Sequence, residues 1–176
     1  MRITISGLPG SGTTSLGKAL AEEFGYRYVS AGEVFRDLAR ERGLDLASFG
    51  RLAENDSSID RLIDERQKEI GQQSDDIIIE GRLAGRMVDN ADLRIWLIAS
   101  PECRARRIAD RDIQDGETAK AVTIERERSE AHRYRTYYGI DISDLSWYDI
   151  VLSSETFGRG PLATIVATAI RELLHR

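Results

Sequence analysis

Hydrophobic positions along the chain form short continuous runs separated by longer segments with a helical repeat. The clearest run is Asp-Ile-Ile-Ile-Glu at residues 76–80, where three successive isoleucines leave no polar face. Such a run is typical of a central parallel strand that is covered on both sides. The pattern predicts strands at residues 3–6, 26–30, 76–80, 93–99 and 147–153.

The segments between the strands repeat apolar residues every three or four positions, which predicts helices with one buried face. Residues 14–24 show this repeat, with Leu16 and Leu20 on one face and Gly25 as the expected C-cap. Further helices are predicted from residue 32 to 43 and at residues 46–54, 59–70, 102–112, 118–138 and 162–174. Because strands and helices alternate, we expect a three-layer α/β fold with a five-stranded parallel sheet flanked by helices.

Two of the helical segments are longer than a simple crossover needs. They are residues 31–71 and the arginine-rich residues 104–138. Insertions at the loop end of a sheet often form lids and substrate clamps. We therefore expect a single domain of residues 1–176 that carries two such insertions.

The composition is that of an ordinary globular domain, because the 176 residues are 41% hydrophobic and 31% charged. A net charge of -5 argues against a nucleic-acid-binding surface. The one cysteine, Cys103, excludes an internal disulfide and favours a reducing compartment. No apolar run is long enough for a membrane span, and the chain starts with a strand rather than a signal peptide. We expect a cytoplasmic monomer that binds neither membrane nor nucleic acid.

A glycine-rich loop connects the first predicted strand to the first predicted helix. Its residues are Gly7, Leu8, Pro9, Gly10, Ser11, Gly12, Thr13 and Thr14, and Ser15 follows. This order is the context of the P-loop pattern G-x-x-x-x-G-K-[ST], in which backbone N–H groups surround phosphate oxygens. Thr13 stands where the pattern has lysine. The loop predicts a nucleotide site without its usual cation, and the alternative is a glycine-rich turn that binds no ligand.

Oxygen ligands suited to Mg²⁺ occur at two places near this loop. The hydroxyl of Thr14 is placed to bind the metal directly, and Glu80, at the end of the central strand, could hold the metal's water shell. The alternatives are a plain threonine at a helix start and a solvated carboxylate at a strand end.

Two arginines follow strand ends close to glycines. Arg36 lies one turn into the helix after Ser30-Ala-Gly32, and Arg82 lies in Glu-Gly-Arg-Leu-Ala-Gly at residues 80–85. A guanidinium at the carboxyl end of a strand is poorly placed for packing and well placed for a bidentate phosphate contact. We expect both to bind phosphate, and for Arg36 an exposed surface position is the alternative.

The second insertion carries arginines on shared helix faces. Arg107 and Arg111 are four residues apart on one predicted helix. Arg126 and Arg133 are seven apart on the next, and Glu130 lies between them. This spacing favours a lid over a polyphosphate. The alternative is a solvated helix with ion pairs, which we expect for Arg104, Arg106, Arg128 and Arg135.

Several motifs in one order resemble the nucleoside monophosphate kinases, and most closely the cytidylate kinases of archaeal type. They are the loop of residues 7–14, Ser-Ala-Gly-Glu-Val-Phe-Arg at 30–36, Glu-Gly-Arg-Leu-Ala-Gly at 80–85, the pairs at 125–126 and 133–134, and Tyr-Tyr-Gly-Ile-Asp at 137–141. The loop alone is unspecific, whereas the others together are specific and extend over nearly the whole chain. The resemblance implies a P-loop kinase fold, with an NMP-binding insertion at residues 31–71 and a lid at residues 104–138.

The resemblance implies that ATP, with Mg²⁺, donates its γ-phosphate to CMP or dCMP. It implies that the acceptor phosphate is bound by Arg36, Arg82, Arg126 and Arg133, of which the last three are the expected catalytic residues. Ser30 and Gly32 would border the acceptor nucleotide, and Glu130 would contact its sugar or base. Arg107 would stack on the adenine of ATP, and Arg111 would reach its phosphates.

Two positions depart from the family pattern. Bacterial relatives have aspartate where Leu83 stands, and Thr13 replaces the P-loop lysine. We expect a lid arginine to supply the missing charge, because Lys18 lies one turn too far along the helix. Two alternatives stay open. One is a kinase for AMP, dTMP or shikimate. The other is a non-catalytic nucleotide-binding module, although the sequence lacks the guanine-reading Asn-Lys-x-Asp element that such a module would carry.

Overall fold

The computed structural model describes residues 1–112 and 116–175, and in this part of the chain five parallel strands form one sheet. The strands are β1 (Arg2–Gly7), β2 (Arg27–Ser30), β3 (Ile77–Glu80), β4 (Leu93–Ile98) and β5 (Ile150–Ser153), in the spatial order β2-β3-β1-β4-β5. All neighbouring pairs run parallel. The predicted five-stranded α/β fold is confirmed, with β1 at its centre.

Helices pack against both faces of this sheet. They are α1 (Thr13–Phe24), α2 (Ala31–Glu41), α3 (Leu46–Asn55), α4 (Ser57–Gln73), α5 (Ala84–Met87), α6 (Pro101–Asp112), α7 (Gly116–Tyr138), α8 (Ser154–Phe157) and α9 (Arg159–Leu174). The hydrophobic pattern did not predict α5 and α8, because four residues are too few to show a helical repeat.

The larger core lies between one face of the sheet and helices α1 and α9. Ile3 and Ile5 of β1 are fully buried there against Leu20 and Ile170. The other face of β3 packs against α5 and the residues around it. Strand β1 is therefore held by neighbours on both edges and by the core, so the loop that follows it starts from a fixed position.

Helices α2, α3 and α4 have a small hydrophobic core of their own. Phe35 and Phe49 pack with ring centroids 4.8 Å apart, and Ile63 joins them. Helix α7 lies against this insertion, where the Tyr137 hydroxyl donates to the Ala53 carbonyl oxygen at 2.8 Å. The two predicted insertions are therefore in direct contact.

The boundaries differ from prediction mainly at the last strand. The expected strand of residues 147–153 begins only at Ile150, because Trp147 lies in a turn in which the Tyr148 N–H donates to the Leu145 carbonyl oxygen at 3.1 Å. Trp147 is 54% exposed and has the Arg86 guanidinium 4.5 Å from its ring centroid. Of the expected lid at residues 104–138, residues 113–115 lie outside the described residues. No helix in the described ranges is both long and apolar enough to cross a membrane.

Candidate active site

The loop after β1 turns back through two glycines in the left-handed region. Gly10 has φ 81° and Gly12 has φ 93°. A Cβ on Gly10 would also lie 2.6 Å from the Arg104 carbonyl oxygen, so only glycine fits. Helix α1 begins at Thr13, and no side chain caps its N-terminus. The first N–H groups of α1 are thus available to an anion at the positive end of the helix dipole.

A cavity of about 820 Å³ opens over this loop, and we call it the donor cavity. The predicted residues that line it are Gly10, Gly12, Thr13, Thr14, Ser15, Gly32, Arg36, Glu80, Arg82, Arg107 and Arg111. It is also lined by residues that the sequence did not single out: Leu16, Leu46, Ile108, Ser154, Gly158, Arg159 and Leu162.

A second cavity of about 50 Å³, the acceptor cavity, adjoins the first and shares Gly32, Glu80 and Arg82 with it. Its walls include the three remaining charged residues of the predicted site, Arg126, Glu130 and Arg133. Leu83 contributes an apolar surface. The other predicted residues line neither cavity; they are Gly7, Leu8, Pro9, Ser11 and Ser30.

Glu80, at the end of β3, is 4% exposed and accepts hydrogen bonds from four hydroxyl groups. Thr13 Oγ1 lies 2.7 Å from Oε1, while Ser30 Oγ lies 2.5 Å and Tyr28 Oη 3.1 Å from Oε2. Thr14 Oγ1 is farther from Oε2, at 3.5 Å. Burial, followed by the charge of Glu80, raises the pKa of Tyr28, so this phenol stays a donor. Thr13 thus donates a hydrogen bond from a neutral hydroxyl to Glu80, whereas the lysine of the P-loop pattern would place a positive charge at the cavity.

The oxygens of Thr14 and Glu80 both face the donor cavity. No cluster of three His, Cys, Asp or Glu suited to a metal exists among the described residues. A closed protein cage is not required, because Mg²⁺ at nucleotide sites is held by one or two protein oxygens together with phosphates and waters. A hydroxyl beside one carboxylate fits that mode of binding.

Arg82 and Arg126 both bind Glu130. Arg82 Nε lies 2.9 Å from Oε2, and Arg126 Nε lies 2.8 Å from Oε1. Arg82 Nη1 also donates to the Gly7 carbonyl oxygen at 2.9 Å, which ties it to the P-loop. Burial alone would raise the pKa of Glu130, but Arg82, Arg126 and Arg133 together lower it to about 2. Glu130 is therefore an internal counter-ion for the arginines around it.

Arg133 is paired with a different carboxylate. Its Nε lies 2.7 Å from Asp60 Oδ2, and the two side chains are 3% and 6% exposed. Its Nη1 donates to Ser129 Oγ at 2.6 Å. These contacts fix Arg133 between α4 and α7, at the wall of the acceptor cavity.

Arg36 and Arg111 face the donor cavity from opposite insertions. The pKa of Arg36 is lowered, first by partial burial and then by the like charges of Arg111 and Arg126. The three guanidinium groups therefore repel one another across the two adjoining cavities. An anion bound between them would relieve the repulsion.

Arg107 is anchored where α6 meets the P-loop. Its Nη1 lies 2.9 Å from Ser154 Oγ and 3.3 Å from the Gly10 carbonyl oxygen. The prediction for Arg104 is wrong: we expected a solvated face, and the residue is 3% exposed. Arg104 forms an ion pair with Glu127 and donates to the Pro9 carbonyl oxygen at 3.2 Å. Arg104 therefore stabilises the P-loop through Pro9, while Arg107 lines the donor cavity.

The polar cavity residues that escaped the sequence analysis include Asp60, Asp64, Gln67, Ser154 and Arg159. Arg159 opens α9 and lines the donor cavity, and its position between two glycines, as at Arg82, could have marked it. Asp64 and Gln67 line the acceptor cavity from the middle of α4. A helix interior with many polar residues carries no signal that separates these two from their exposed neighbours.

Solved structures share this architecture. A shikimate kinase from Bacteroides thetaiotaomicron aligns with a TM-score of 0.64 at 14% identity, covering 100% of this chain and 99% of that one. An uncharacterized protein from Eubacterium ventriosum aligns with a TM-score of 0.71 at 17% identity, covering 97% and 98%. At these identities the likeness shows the P-loop kinase fold alone.

Sequence relatives identify the family. The family model described as the cytidylate kinase-like family matches residues 2–156. A cytidylate kinase of Methanocorpusculum labreanum is 62% identical over 176 residues, covering 100% of this chain and 99% of the relative. A cytidylate kinase of Methanoculleus marisnigri is 69% identical over 170 residues, covering 97% and 94%. The chain belongs to the cytidylate kinase-like family.

Proposed function

We propose that this protein transfers the γ-phosphate of ATP to CMP or dCMP and releases ADP with CDP or dCDP. The observation that carries the proposal is the meeting of two cavities at Glu80 and Arg82, one over the P-loop and one among the arginines of α7. Full-length relatives named cytidylate kinase, with identities of up to 69%, support CMP as the acceptor.

In the proposed donor site, residues 7–15 bind the triphosphate of ATP through backbone N–H groups and hydroxyls. Arg111 contacts the phosphates from α6. Arg107 stacks on the adenine, and its hydrogen bonds to Gly10 and Ser154 give it the fixed orientation that stacking requires.

In the proposed acceptor site, the CMP phosphate is bound by Arg36, Arg82, Arg126 and Arg133. Ser30 and Gly32 border the nucleotide. As the phosphate approaches, Arg82 and Arg126 exchange the Glu130 carboxylate for phosphate oxygens, and Glu130 becomes free to accept from the sugar or base. Glu130 thereby keeps the arginines ordered before the substrate arrives.

The reaction joins a phosphate oxygen of CMP to the γ-phosphorus and breaks the bond between that phosphorus and the β-phosphate oxygen. Phosphoryl transfer of this kind depends on positioning and positive charge. Because Thr13 supplies no charge, we propose that Arg111 and Arg126 of the lid, with Arg36, neutralise the transferring phosphoryl group once both nucleotides are enclosed. Arg82, fixed to the P-loop at Gly7, holds the acceptor phosphate next to it.

Mg²⁺ bound with ATP would draw negative charge from the β- and γ-phosphates. We propose that the Thr14 hydroxyl is its protein ligand and that Glu80 holds one of its waters. To bind the metal, the Thr14 hydroxyl must rotate away from Glu80. Its hydrogen bond to Glu80, at 3.5 Å, is the longest of the four that Glu80 accepts and therefore the easiest to break.

The test is a coupled assay of ADP release with CMP, dCMP, UMP, AMP, dTMP and shikimate, each with and without Mg²⁺. We expect Mg²⁺-dependent turnover that is fastest with CMP or dCMP. Turnover with AMP, dTMP or shikimate, and none with CMP or dCMP, would show that the acceptor is not the one proposed. If ADP release stays at background with every acceptor, the protein is a nucleotide-binding module and the proposal is wrong.

A further inference from the structure

Gln67 has a buried atom without a hydrogen-bond partner at the acceptor cavity. The residue is 3% exposed, and its Oε1 has no partner in the structure. Its Nε2 donates to Asp64 Oδ1 at 3.2 Å. An unpaired buried acceptor typically costs about 1–3 kcal/mol, so an atom of this kind at a cavity wall points to a donor that a ligand supplies.

Asp64 determines which end of the Gln67 amide faces the ligand. Asp64 Oδ2 accepts from the Tyr138 hydroxyl at 2.7 Å, and Oδ1 accepts from Gln67. Burial raises the pKa of Asp64 to about 7, so above this pH Asp64 is a carboxylate that only accepts; the amide NH₂ group is then drawn to Asp64 and the amide oxygen is turned away from it. Because Gln67 lines the acceptor cavity, its unpaired oxygen lies at the wall of that cavity.

The Gln67 amide lies next to the segment that leads into Arg82. A Cβ added to Gly81 would be 2.8 Å from Gln67 Oε1, so the two are in direct contact. Apolar side chains of Phe35, Ile63 and Leu83 line the same cavity. A flat ring that is polar at its edge and attached to a phosphate held by Arg82 matches these surroundings.

Resting on the proposed function, we propose that Gln67 selects the pyrimidine of the acceptor nucleotide. Its Oε1 accepts from the exocyclic amine of cytosine and repels the carbonyl oxygen that uracil has at the same position, and Asp64 holds the amide in the required orientation. The acceptor cavity is small in this structure, at about 50 Å³. We expect it to widen around the ring as Arg126 and Glu130 separate at the acceptor phosphate.

Two substitutions test the inference in kcat/KM for CMP and for UMP. In Asp64→Asn, the new amide can donate to Gln67 Oε1, so Gln67 turns its NH₂ group to the cavity and the CMP:UMP ratio falls, by about 10-fold or more for one exchanged hydrogen bond. In Gln67→Met, of similar length and without polar atoms, the ratio also falls, through a loss with CMP. Glu65→Gln, exposed on the same helix, removes a charge of the same sign and leaves the ratio unchanged.

The measurements separate this inference from the proposed function. If the wild-type protein phosphorylates CMP and both Asp64→Asn and Gln67→Met keep its CMP:UMP ratio, the selection by Gln67 is wrong while the proposed function stands. If the wild-type protein phosphorylates no pyrimidine monophosphate, the proposed function fails first. Melting temperatures and calorimetric titration with CMP and UMP in the absence of ATP, on the same variants, show whether a changed ratio comes from base binding or from misfolding.

Discussion

The donor cavity lies over the backbone of the P-loop, whereas the acceptor cavity is lined by side chains that form ion pairs. Over the P-loop, the open N-terminus of α1 and the left-handed Gly10 and Gly12 provide an anion site that needs no side-chain charge. Around the acceptor cavity, buried arginines are matched by Glu130 and Asp60. The donor region is neutral at position 13, and the acceptor region is charged and internally neutralised.

In the mechanism that we propose, this difference lets a P-loop kinase work without its lysine. A fixed lysine at the P-loop would act on bound ATP at all times, whether or not the acceptor is present. Arginines on the insertions act only when the insertions enclose the substrates, so the positive charge arrives together with the acceptor. On this account, the charge missing at Thr13 is supplied by arginines of the two insertions, namely Arg36, Arg111 and Arg126.

The largest effect is expected from removing the internal counter-ion of the acceptor region. Glu130→Gln leaves the partly buried Arg82 and Arg126 without their carboxylate, which should lower the free energy of unfolding by about 3 kcal/mol at neutral pH. Because the pKa of Glu130 is lowered to about 2 from 4.5, the wild-type protein should lose this contribution as the pH falls from about 4.5 through 2. Urea unfolding at pH 7 and at pH 3 measures both differences.

The matched control is Glu125→Gln on the same helix. Glu125 pairs with Arg51 at 3.0 Å, but the side chains are 59% and 56% exposed, and such pairs contribute about 0–1 kcal/mol. CMP should stabilise Glu130→Gln more than it stabilises the wild-type protein, because its phosphate replaces the missing carboxylate. Equal losses in the two variants would mean that Glu130 is an ordinary surface partner.

An effect of similar size, on activity rather than stability, is expected at the residue that joins the two regions. Arg82→Lys should lower kcat/KM with CMP by a factor equivalent to about 2–4 kcal/mol and be nearly as damaging as Arg82→Ala. The reason is geometric, because an ammonium cannot keep the hydrogen bond to Gly7 and also bind a phosphate through two donors in one plane, as a guanidinium can. Arg128→Lys, exposed on α7, is the control and should have normal activity. Near-normal activity of Arg82→Lys would show that only diffuse charge is needed.

The contrast between the regions also explains what could be predicted from the sequence. Hydrophobic runs and periodicity depend on local residues, so the five strands, the longer helices and the glycine loop were predictable. The bonds that define the site join distant residues, such as Thr13 to Glu80 and Arg133 to Asp60, 67 and 73 positions apart. Spacing along the chain cannot show such pairs.

Arg104 and Gln67 are two further residues whose surroundings depend on tertiary packing and could not be predicted from the local sequence. Arg104 belongs to a charged helix that looks solvated, yet its carboxylate partner comes from α7 and its acceptor Pro9 from the P-loop. Gln67 lies among polar residues of α4, and only the tertiary packing shows that one of its atoms has no partner. The roles of Arg36, Arg82, Arg107, Arg111 and Arg126 in binding nucleotides stay predictions.

The central claim is that the insertions supply the charge that Thr13 lacks, and Thr13→Lys tests it most directly. Thr13 Oγ1 lies 2.7 Å from Glu80, so the introduced ammonium should meet that carboxylate before it reaches a phosphate. Thr13→Met, of comparable length and uncharged, controls for the size of the side chain.

The measurement is kcat with CMP together with the rate of ATP hydrolysis in the absence of acceptor, on the wild-type protein and on both variants. We predict that Thr13→Lys does not increase kcat, even if it tightens ATP binding, because a charge at the P-loop acts on ground state and transition state alike. A rise in kcat of about ten-fold or more, equivalent to about 1.4 kcal/mol of barrier, with no rise in hydrolysis would show that the insertions do not supply the missing charge.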